Sequence, residues 1–338
     1  MSHKKRIYHI PIFVPHKGCP HDCVFCNQKK ITGHTDVCDA KQVTHTVDMY
    51  LQSICKNVKR EDCHIEVAFF GGSFTGIDIQ TQKQYLQSVE PYLQSGVIDG
   101  IRCSTRPDYI NDEILSLLKS YGMSVIELGV QSADDVVLKK ANRGHTFVDV
   151  KNASELIKKH GISLGLQMMT GLPGDTYTTC VETAKKIASL KPCCVRIYPT
   201  LVMEDTMLYS MYQKGEYKPQ TVDEAVQLVS QIIPIFQSAG SQIIRIGLQT
   251  TDNVNRNTVI GPYHPAFAEL CYSRIERNKI EKHITENNIK NMNVQISAPK
   301  HMFSKIVGHK KSNILYFKEK YNVDISVCEN EELYISII

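Results

Sequence analysis

Short apolar runs alternate with amphipathic stretches along most of the 338 residues, and this alternation restricts the possible folds more than any other feature of the sequence. The apolar runs cover residues 7–14, 64–70, 99–103, 124–130, 162–169, 193–198 and 242–248. The helical patterns cover residues 40–57, 78–95, 111–121, 147–160, 176–190 and 221–239. Strands that alternate with helices predict parallel βαβ units. Six or so such units favour a partial (β/α) TIM-type barrel, with an open doubly wound sheet as the alternative.

Polar residues recur with a period of two inside the predicted strands, and this period places them on one face of the sheet. In the fourth run, Glu127, Gly129 and Gln131 oppose Ile126 and Leu128. The same alternation in the other runs places further residues on this polar face: Arg102, Ser104, Arg106, Ser163, Gly165, Gln167, Cys194, Arg196, Tyr198, Arg245, Gly247 and Gln249. Buried charges need partners. A ligand in the barrel lumen or a buried ion network could supply them, and the sequence leaves both open.

The composition is that of an ordinary globular protein, with 42% hydrophobic and 22% charged residues. The net charge of +4 is too small to indicate a nucleic-acid binder by itself. No apolar run approaches the length of a membrane span, and His9 and Pro11 interrupt the first one, which argues against a signal peptide. We therefore expect no membrane partner and a cytoplasmic location, where most of the 12 cysteines are reduced thiols or metal ligands.

Three cysteines with the spacing C-x-x-x-C-x-x-C follow the first predicted strand: Cys19, Cys23 and Cys26. Active sites of parallel barrels lie at this end of the strands. Three thiolates from one loop can hold three corners of an iron–sulfur cube, which leaves one iron open to a ligand. A structural zinc site with His16 or His21 as the fourth ligand is the alternative, although zinc sites usually combine two separated pairs. The spacing favours the cluster.

The cysteine motif, with Phe25 before its last cysteine, resembles the signature of the radical S-adenosylmethionine (SAM) superfamily. The resemblance implies a 4Fe–4S cluster whose open iron binds SAM. It also implies that one electron from the reduced cluster cleaves SAM to methionine and a 5′-deoxyadenosyl radical, which abstracts a hydrogen from the substrate. A flavodoxin- or ferredoxin-type electron donor is then the expected protein partner.

Further motifs extend this resemblance to the residues that would contact SAM. The turn at residues 70–75 resembles the Gly-Gly-Glu-type turn that meets the SAM amino group, with Ser73 in place of the glutamate. By resemblance, Arg143 pairs with the SAM carboxylate and Gln167 meets the ribose. The implied SAM contacts are Phe25, Gly71, Gly72, Ser73, Ser104, Gln131, Arg143 and Gln167.

Several blocks taken together resemble one branch of the superfamily, the radical SAM half of the Elongator catalytic subunit, which modifies the wobble uridine of tRNA. These blocks are residues 103–109, 127–132, 142–146, 171–176 and 196–200. Two features depart from that family. The spacing before the second cluster cysteine is shorter here. The Elongator enzymes also carry a C-terminal acetyltransferase domain, whereas the segment after residue 250 is shorter than the usual ~100–150 residues of a domain and contains no glycine-rich acetyl-CoA loop. We therefore expect the radical SAM half without the acetyltransferase domain.

We expect a barrel at residues 1–250, a barrel-closing extension at 251–290 and a small basic α+β module at 291–338. Between Lys300 and Lys320 there are six lysines and one acid. The segment Gly308–Lys311 resembles the Gly-x-x-Gly loop of KH modules, which clamps RNA backbone, with Lys311 at the second glycine position. The candidate RNA-binding residues are Lys305, Gly308, Lys310 and Lys311. A solvated lysine face is the alternative.

The leading prediction is a radical SAM enzyme that acts on RNA, most specifically on a tRNA base. Strand phase turns Arg196 and Tyr198 towards the lumen, where they are candidates for touching the substrate or donating a hydrogen. One alternative is a radical SAM enzyme for a small molecule, because Tyr8–Pro11 with Gln131 and Arg143 also resembles oxygen-independent coproporphyrinogen III oxidases. A zinc-bearing RNA-binding protein is the other alternative.

Overall fold

A computed structural model of the protein describes residues 5–14, 23–26, 39–248, 254–255 and 258–337. The elements in chain order are β1 (Arg6–Val14), α1 (Ala40–Asn57), β2 (Cys63–Gly71), α2 (Ile79–Gln94), β3 (Gly100–Thr105), α3 (Asp112–Ser120), β4 (Met123–Gln131), α4 (Asp135–Lys140), α5 (Phe147–Lys159), β5 (Ser163–Thr170), α6 (Tyr177–Ser189), β6 (Cys194–Pro199), β7 (Val202–Met203), α7 (Met207–Gln213), α8 (Val222–Ser238), β8 (Gln242–Ile246), β9 (Val259–Ile260), α9 (Phe267–Glu286), β10 (Asn293–Ala298), α10 (Phe303–Val307), α11 (Ser312–Tyr321), β11 (Asp324–Glu329) and β12 (Tyr334–Ile337).

The main sheet of the described chain has seven strands in the order β1-β2-β3-β4-β5-β6-β8. Every neighbouring pair in it is parallel. Helices connect the successive strands, as expected for βαβ units. The sheet is therefore an open partial barrel, and the predicted fold class is confirmed. Each of the seven predicted apolar runs coincides with one of these strands.

The helices cover the outer face of the sheet because that face is apolar. Ile126, Leu128 and Val130 of β4 are fully buried there. Helix α1 turns Val43, Val47, Leu51 and Ile54 inward at helical spacing. Threonines at the helix starts, such as Thr146 before α5, cap free backbone amides through capping boxes. The polar face is left to line the lumen, as the period of two predicted.

The C-terminal module is a three-stranded sheet in the order β11-β10-β12, covered by α10 and α11. Ile296, Ile306 and Phe317 belong to a hydrophobic core that is separate from the core of the barrel. Helix α9 leads from the barrel into this module. The small α+β module is confirmed, whereas the proposed domain boundaries remain a prediction. Within the described segments, no helix has both the length and the apolarity needed to cross a membrane.

Candidate active site

A short turn at residues 23–26 carries two of the three predicted cluster ligands. The Cys26 amide donates to the carbonyl of Cys23 at 3.0 Å. Val24 fixes the turn on both sides, since its amide donates to the Ala141 carbonyl at 3.1 Å and its carbonyl accepts from the Leu208 amide at 2.7 Å. Cys23 is buried and Cys26 is partly buried. The turn is thus held against the end of α4 and the start of α7.

The third predicted cluster ligand, Cys19, lies outside the described residues, as do His16 and His21 of the zinc alternative. Within the described part of the chain, no three His, Cys, Asp or Glu side chains come together as a metal site. The described residues contribute two thiols to the predicted cluster site. The ligand set stays a prediction.

Arg143 links the cysteine turn to the barrel. Its Nη1 donates to Cys23 Sγ at 3.5 Å and its Nη2 donates to the Gly129 carbonyl at 2.9 Å. The arginine is buried, and its Nε has no hydrogen-bond partner. A Cβ on Gly129 would come within 2.7 Å of Nη2, so any larger residue there would displace the guanidinium. The guanidinium predicted to pair with the SAM carboxylate therefore lies directly beside a predicted cluster ligand.

Arg106 stabilises the backbone that carries Arg143. Its Nη2 donates to the Arg143 carbonyl at 2.7 Å, and its Nε and Nη2 each donate to Asp108 at 2.9 Å. Neighbouring His145 is also buried, and its Nε2 lies 3.2 Å from the Val130 carbonyl. Burial and the nearby Arg143 and Arg106 lower the pKa of His145 to about 3. The imidazole is therefore neutral at physiological pH. His145 lies in the block at residues 142–146, but the sequence alone does not predict its role.

Two predicted SAM contacts meet at the carboxyl ends of β4 and β5. Gln131 has a left-handed backbone with φ 68°, next to a register shift between these strands. Its Oε1 accepts from Gln167 Nε2 at 3.3 Å. Gln131 thus ends its strand in a left-handed backbone conformation that residues other than glycine rarely adopt.

The glycine turn after β2 joins β1 and β3. Gly71 has φ 102°, and the Gly72 amide donates to the Val14 carbonyl at 3.2 Å. The Ser73 hydroxyl is buried, hydrogen-bonds with Thr105 Oγ1 at 2.8 Å and accepts from the Arg106 amide at 3.2 Å. Because Thr105 and the Arg106 amide already bind this hydroxyl, the turn would contact SAM through its backbone.

The other predicted contacts lie on the same side of the barrel. Ser104 is half-buried on the polar face of β3. Phe25 is half-buried and packs with the apolar cluster that contains Val24, Ala141 and Leu172. The structure therefore places the described SAM candidates around the carboxyl ends of β2 to β5. Their roles as SAM contacts remain predictions.

A buried ion network occupies the lumen below this site. Arg102 Nη1 lies 3.3 Å from Glu66 Oε2, and Arg102 Nε lies 3.3 Å from Glu127 Oε1. Glu127 also binds Arg196, with 2.5 Å from Nε to Oε2 and 3.2 Å from Nη2 to Oε1. The lumen charges thus pair with one another, which is one of the two possibilities the sequence left open. Glu66 was not predicted, although its phase in the second run points into the lumen.

The network fixes the charges of its members. Burial opposes ionisation of Glu66, but the hydrogen bond from His9 and the charge of Arg102 lower its pKa to about 2. Burial also opposes the charge on Arg196, yet the Glu127 carboxylate raises the pKa of Arg196 above its usual value. Two carboxylates therefore face two guanidiniums, and the lumen carries these four charges in balance.

Arg196 and Tyr198 form the upper edge of the network. The Arg196 guanidinium lies over the Phe70 ring at 4.9 Å from its centroid, and Nη1 donates to the Tyr198 hydroxyl at 3.5 Å. Both residues are half-buried on the lumen face of β6. The structure brings the two catalytic candidates together at a point that opens towards the predicted SAM contacts on β4 and β5.

The four RNA-binding candidates lie in and around the turn between α10 and α11. Gly308 has φ 79°, and a Cβ there would come within 2.9 Å of the Asn313 amide. Lys310 and Lys311 follow with left-handed backbones and exposed side chains. Lys305 Nζ lies 5.2 Å from the centroid of the Tyr272 ring of α9. The predicted Gly-x-x-Lys segment is therefore a tight, exposed turn between two helices.

The fold and the site together define a parallel-barrel protein with a polar site at the carboxyl ends of its strands. The family model of the radical SAM superfamily matches residues 13–187, and that of the radical SAM C-terminal domain matches residues 192–277. The first match alone covers just over half of the chain. The protein belongs to the radical SAM superfamily, whose members use a 4Fe–4S cluster and SAM.

Individual relatives show which branch of the superfamily this chain resembles. The tRNA uridine(34) acetyltransferase of Methanocaldococcus jannaschii is 28% identical over 308 residues, covering 80% of this chain and 56% of that protein. Elongator complex protein 3 of Bos taurus is 25% identical over 262 residues, covering 65% of this chain and 48% of that protein. This chain thus spans about half the length of these relatives. The predicted resemblance to the radical SAM part of the Elongator subunit is confirmed.

A solved structure shares the fold. The structure of an archaeal Elp3 from Methanocaldococcus infernus with an N-terminal deletion superposes with a TM-score of 0.63 at 22% identity. The superposition covers 85% of this chain and 64% of that chain. This agreement supports the partial barrel and its order of strands.

Proposed function

We propose that this protein is a radical SAM enzyme that modifies an RNA base, with tRNA as the substrate. The position of Arg143 carries the proposal, because one guanidinium contacts both a predicted cluster thiol and the end of β4. A cofactor with a carboxylate next to a cluster would use this buried guanidinium, since Arg binds carboxylates through charge-assisted hydrogen bonds.

The described residues fit such a cofactor. Arg143 Nε is buried without a partner. Buried polar groups are normally paired, so an unpaired one beside a site fits a ligand that binds there. Cys23 and Cys26, with Cys19, would hold the cluster. When bound, cluster and SAM together supply a carbon-centred radical that removes a hydrogen atom from the substrate.

The chain's own residues would prepare the site for that chemistry. Gly129 leaves the space that Arg143 needs, and Arg106 fixes the Arg143 backbone. Gln131 and Gln167 present amide groups to polar parts of the cofactor. Arg196 lies level with Gln167 in the sheet and Tyr198 lies closer to the carboxyl end of β6. There they would orient the substrate, and the Tyr198 hydroxyl could supply a hydrogen.

Three observations support RNA as the substrate. The relatives include a protein named as a tRNA uridine(34) acetyltransferase. The turn Gly308–Lys311 lies beside the mouth of the barrel, since the His309 ring is 5.3 Å from the ring of His264. His264 in turn lines a small crevice together with Pro199, which ends β6, and Gly247, which follows β8.

The third observation is the charge of this turn. Lys318 and Lys320 pair with Asp324 and Glu281, each at 2.7 Å. In contrast, the ion pairs of the described chain include none with Lys300, Lys305, Lys310 or Lys311. Unpaired lysines on an exposed glycine turn are suited to phosphate. A strand held there would place a neighbouring base at the barrel mouth.

Binding of tRNA to the reconstituted full chain tests this proposal. We expect affinity to fall as salt rises, and Lys310→Gln or Lys311→Gln to reduce the slope of log affinity against log salt by about 1. Lys318→Gln is the matched control, because that lysine is already paired. Nucleoside mass spectrometry after turnover should show a modified base. If tRNA does not bind, or if the protein instead binds and converts a tetrapyrrole, the RNA assignment is wrong.

A further inference from the structure

Two adjacent cysteines lie at the base of the barrel, far from the cysteine turn along the strand direction. Cys194 begins β6 and Cys193 precedes it, whereas the candidate active site lies at the carboxyl ends of the strands. Cys193 is exposed and Cys194 is buried. The pair therefore combines a thiol that solvent can reach with a thiol protected inside the lumen.

The surroundings hold this pair in a defined position. The Cys193 amide donates to the Leu164 carbonyl at 2.8 Å, and the Cys193 carbonyl accepts from the Gln242 amide at 3.0 Å. On the lumen side, Arg102 Nη2 donates to Cys194 Sγ at 3.7 Å. A Cβ on Gly165 would come within 3.0 Å of that sulfur, so the glycine leaves room for it.

The two thiols differ in pKa. A hydrogen bond from Cys194 lowers the pKa of Cys193 to about 7; Arg102 assists, while burial, Glu127 and Glu66 oppose the shift. Sharing that hydrogen bond, together with burial, raises the pKa of Cys194. Exposed cysteines of low pKa beside a second cysteine are typical of redox-sensitive thiols.

We propose that Cys193 and Cys194 form a reversible thiol–disulfide pair, a redox modification site separate from the cluster cysteines. The Cys193 thiolate attacks a low-molecular-weight disulfide, forms a mixed disulfide and releases one thiolate. Cys194 then loses its proton and attacks Cys193 Sγ, which releases the second thiolate. The two cysteines give up two electrons in total, and the small disulfide is reduced to two thiols.

The geometry of adjacent residues favours easy reversal. Consecutive Cα atoms are about 3.8 Å apart, whereas disulfides usually join Cα atoms about 4.4–6.8 Å apart. A strained disulfide has a higher reduction potential than a relaxed one, so thiols reduce it readily. This behaviour is that of a regulatory bond and not of a structural one.

Peptide mass spectrometry of the full-length, cluster-loaded protein tests the proposal under anaerobic conditions. After treatment with oxidised glutathione and then iodoacetamide, the peptide with residues 193–194 should lack two hydrogens and carry no alkyl group, and dithiothreitol should reverse this. In Cys194→Ser, Cys193 should keep the glutathione as a mixed disulfide. Cys55, an exposed cysteine on α1, is the internal control.

A second measurement does not depend on the oxidant. The rate of Cys193 alkylation in the untreated protein should rise with a midpoint near pH 7, and Cys193 should react faster than Cys55 at that pH. Two alkyl groups on the 193–194 peptide under conditions that glutathionylate Cys55 would overturn the proposal. A stable mixed disulfide on Cys193 while Cys194 is present would also overturn it.

Discussion

Glu127 holds Arg196 through both of its carboxylate oxygens, at 2.5 and 3.2 Å, in a lumen where the Glu127 side chain is only 3% exposed. The two contacts fix the plane of the guanidinium, which then lies over Phe70 and reaches the Tyr198 hydroxyl with Nη1. Glu127 is therefore a positioning residue for the two catalytic candidates. It also belongs to the ion network that holds β2, β3, β4 and β6 together.

Replacing Glu127 by glutamine should destabilise the protein. Arg196 and Arg102 would lose a buried negative partner, and breaking a buried ion pair costs about 3–5 kcal/mol of the free energy of unfolding. Urea denaturation followed by circular dichroism measures this change. The double variant Glu127→Gln with Arg196→Gln should regain part of the loss, because one uncompensated charge is removed. A single-variant loss below roughly 1 kcal/mol would show that the network contributes little.

Replacing Gly129 by alanine should weaken SAM binding and leave the fold intact. The added Cβ would come within 2.7 Å of Arg143 Nη2 and 3.0 Å of Gln131 Nε2, both of which are flexible side-chain ends. Displacing the arginine should lower SAM affinity about tenfold, since a hydrogen bond to a charged group contributes roughly 1.5–3 kcal/mol. Anaerobic calorimetry with the reconstituted protein measures the affinity. Unchanged binding in both Gly129→Ala and Arg143→Lys would exclude Arg143 from the SAM site.

Replacing Tyr198 by phenylalanine separates SAM cleavage from substrate chemistry. The hydroxyl lies on β6, and its described contact is with Arg196. We expect 5′-deoxyadenosine to form at an unchanged rate in this variant, while modified nucleoside falls by at least about tenfold. Mass spectrometry of both products in one reaction provides the comparison. If the modified nucleoside forms at the parental rate, Tyr198 has no role in turnover.

Mild acid should destabilise the protein through His145. Its pKa is about 3 in the folded state, against the usual histidine pKa of 6.5, so below pH 6.5 the unfolded chain takes up a proton that the folded chain excludes. The stability from the neutral imidazole is present above pH 6.5 and lost as the pH falls towards 3. Between pH 6.5 and 5 the loss should be about 2 kcal/mol.

Chemical denaturation at both pH values checks this expectation. In His145→Gln the loss between pH 6.5 and 5 should shrink, whereas His301→Gln, which changes an exposed histidine, should behave like the parent. The loss of stability assigned to Glu66 begins at lower pH, between the usual glutamate pKa of 4.5 and its folded-state pKa of about 2, and does not overlap this range. An equal loss in His145→Gln and in the parent would show that His145 is not the group responsible.

Most of the barrel could be predicted because the sequence shows two hydrophobic periods, a period of two in the strands and a helical period between them. Ile126, Leu128 and Val130 alternate with Glu127 and Gly129, and this alternation fixes both the strand and the face that packs on helices. The inward direction of Arg102, Arg196 and Gln167 follows from the same phase. Short motifs then placed the site at the carboxyl ends of the strands.

Which lumen side chains pair with one another could not be predicted in the same way. Strand phase shows that Arg102 and Glu127 share a face, but their pairing depends on a register that shifts between Ile101 and Arg102. Ser73 is a second example, since its hydroxyl forms a hydrogen bond with Thr105, which lies 32 residues further along the chain. Contacts between distant segments depend on the closed sheet, and the local pattern does not carry that information.

Reduction of the anaerobically reconstituted protein in the presence of SAM tests the central claim most directly. The account predicts that the preparation is brown, that SAM changes the electron paramagnetic resonance signal of the reduced cluster, and that 5′-deoxyadenosine is released. Cys23→Ala and Cys26→Ala should abolish all three results, whereas Cys55→Ala should leave them unchanged. A colourless protein that retains zinc on these cysteines and leaves SAM intact would contradict the account.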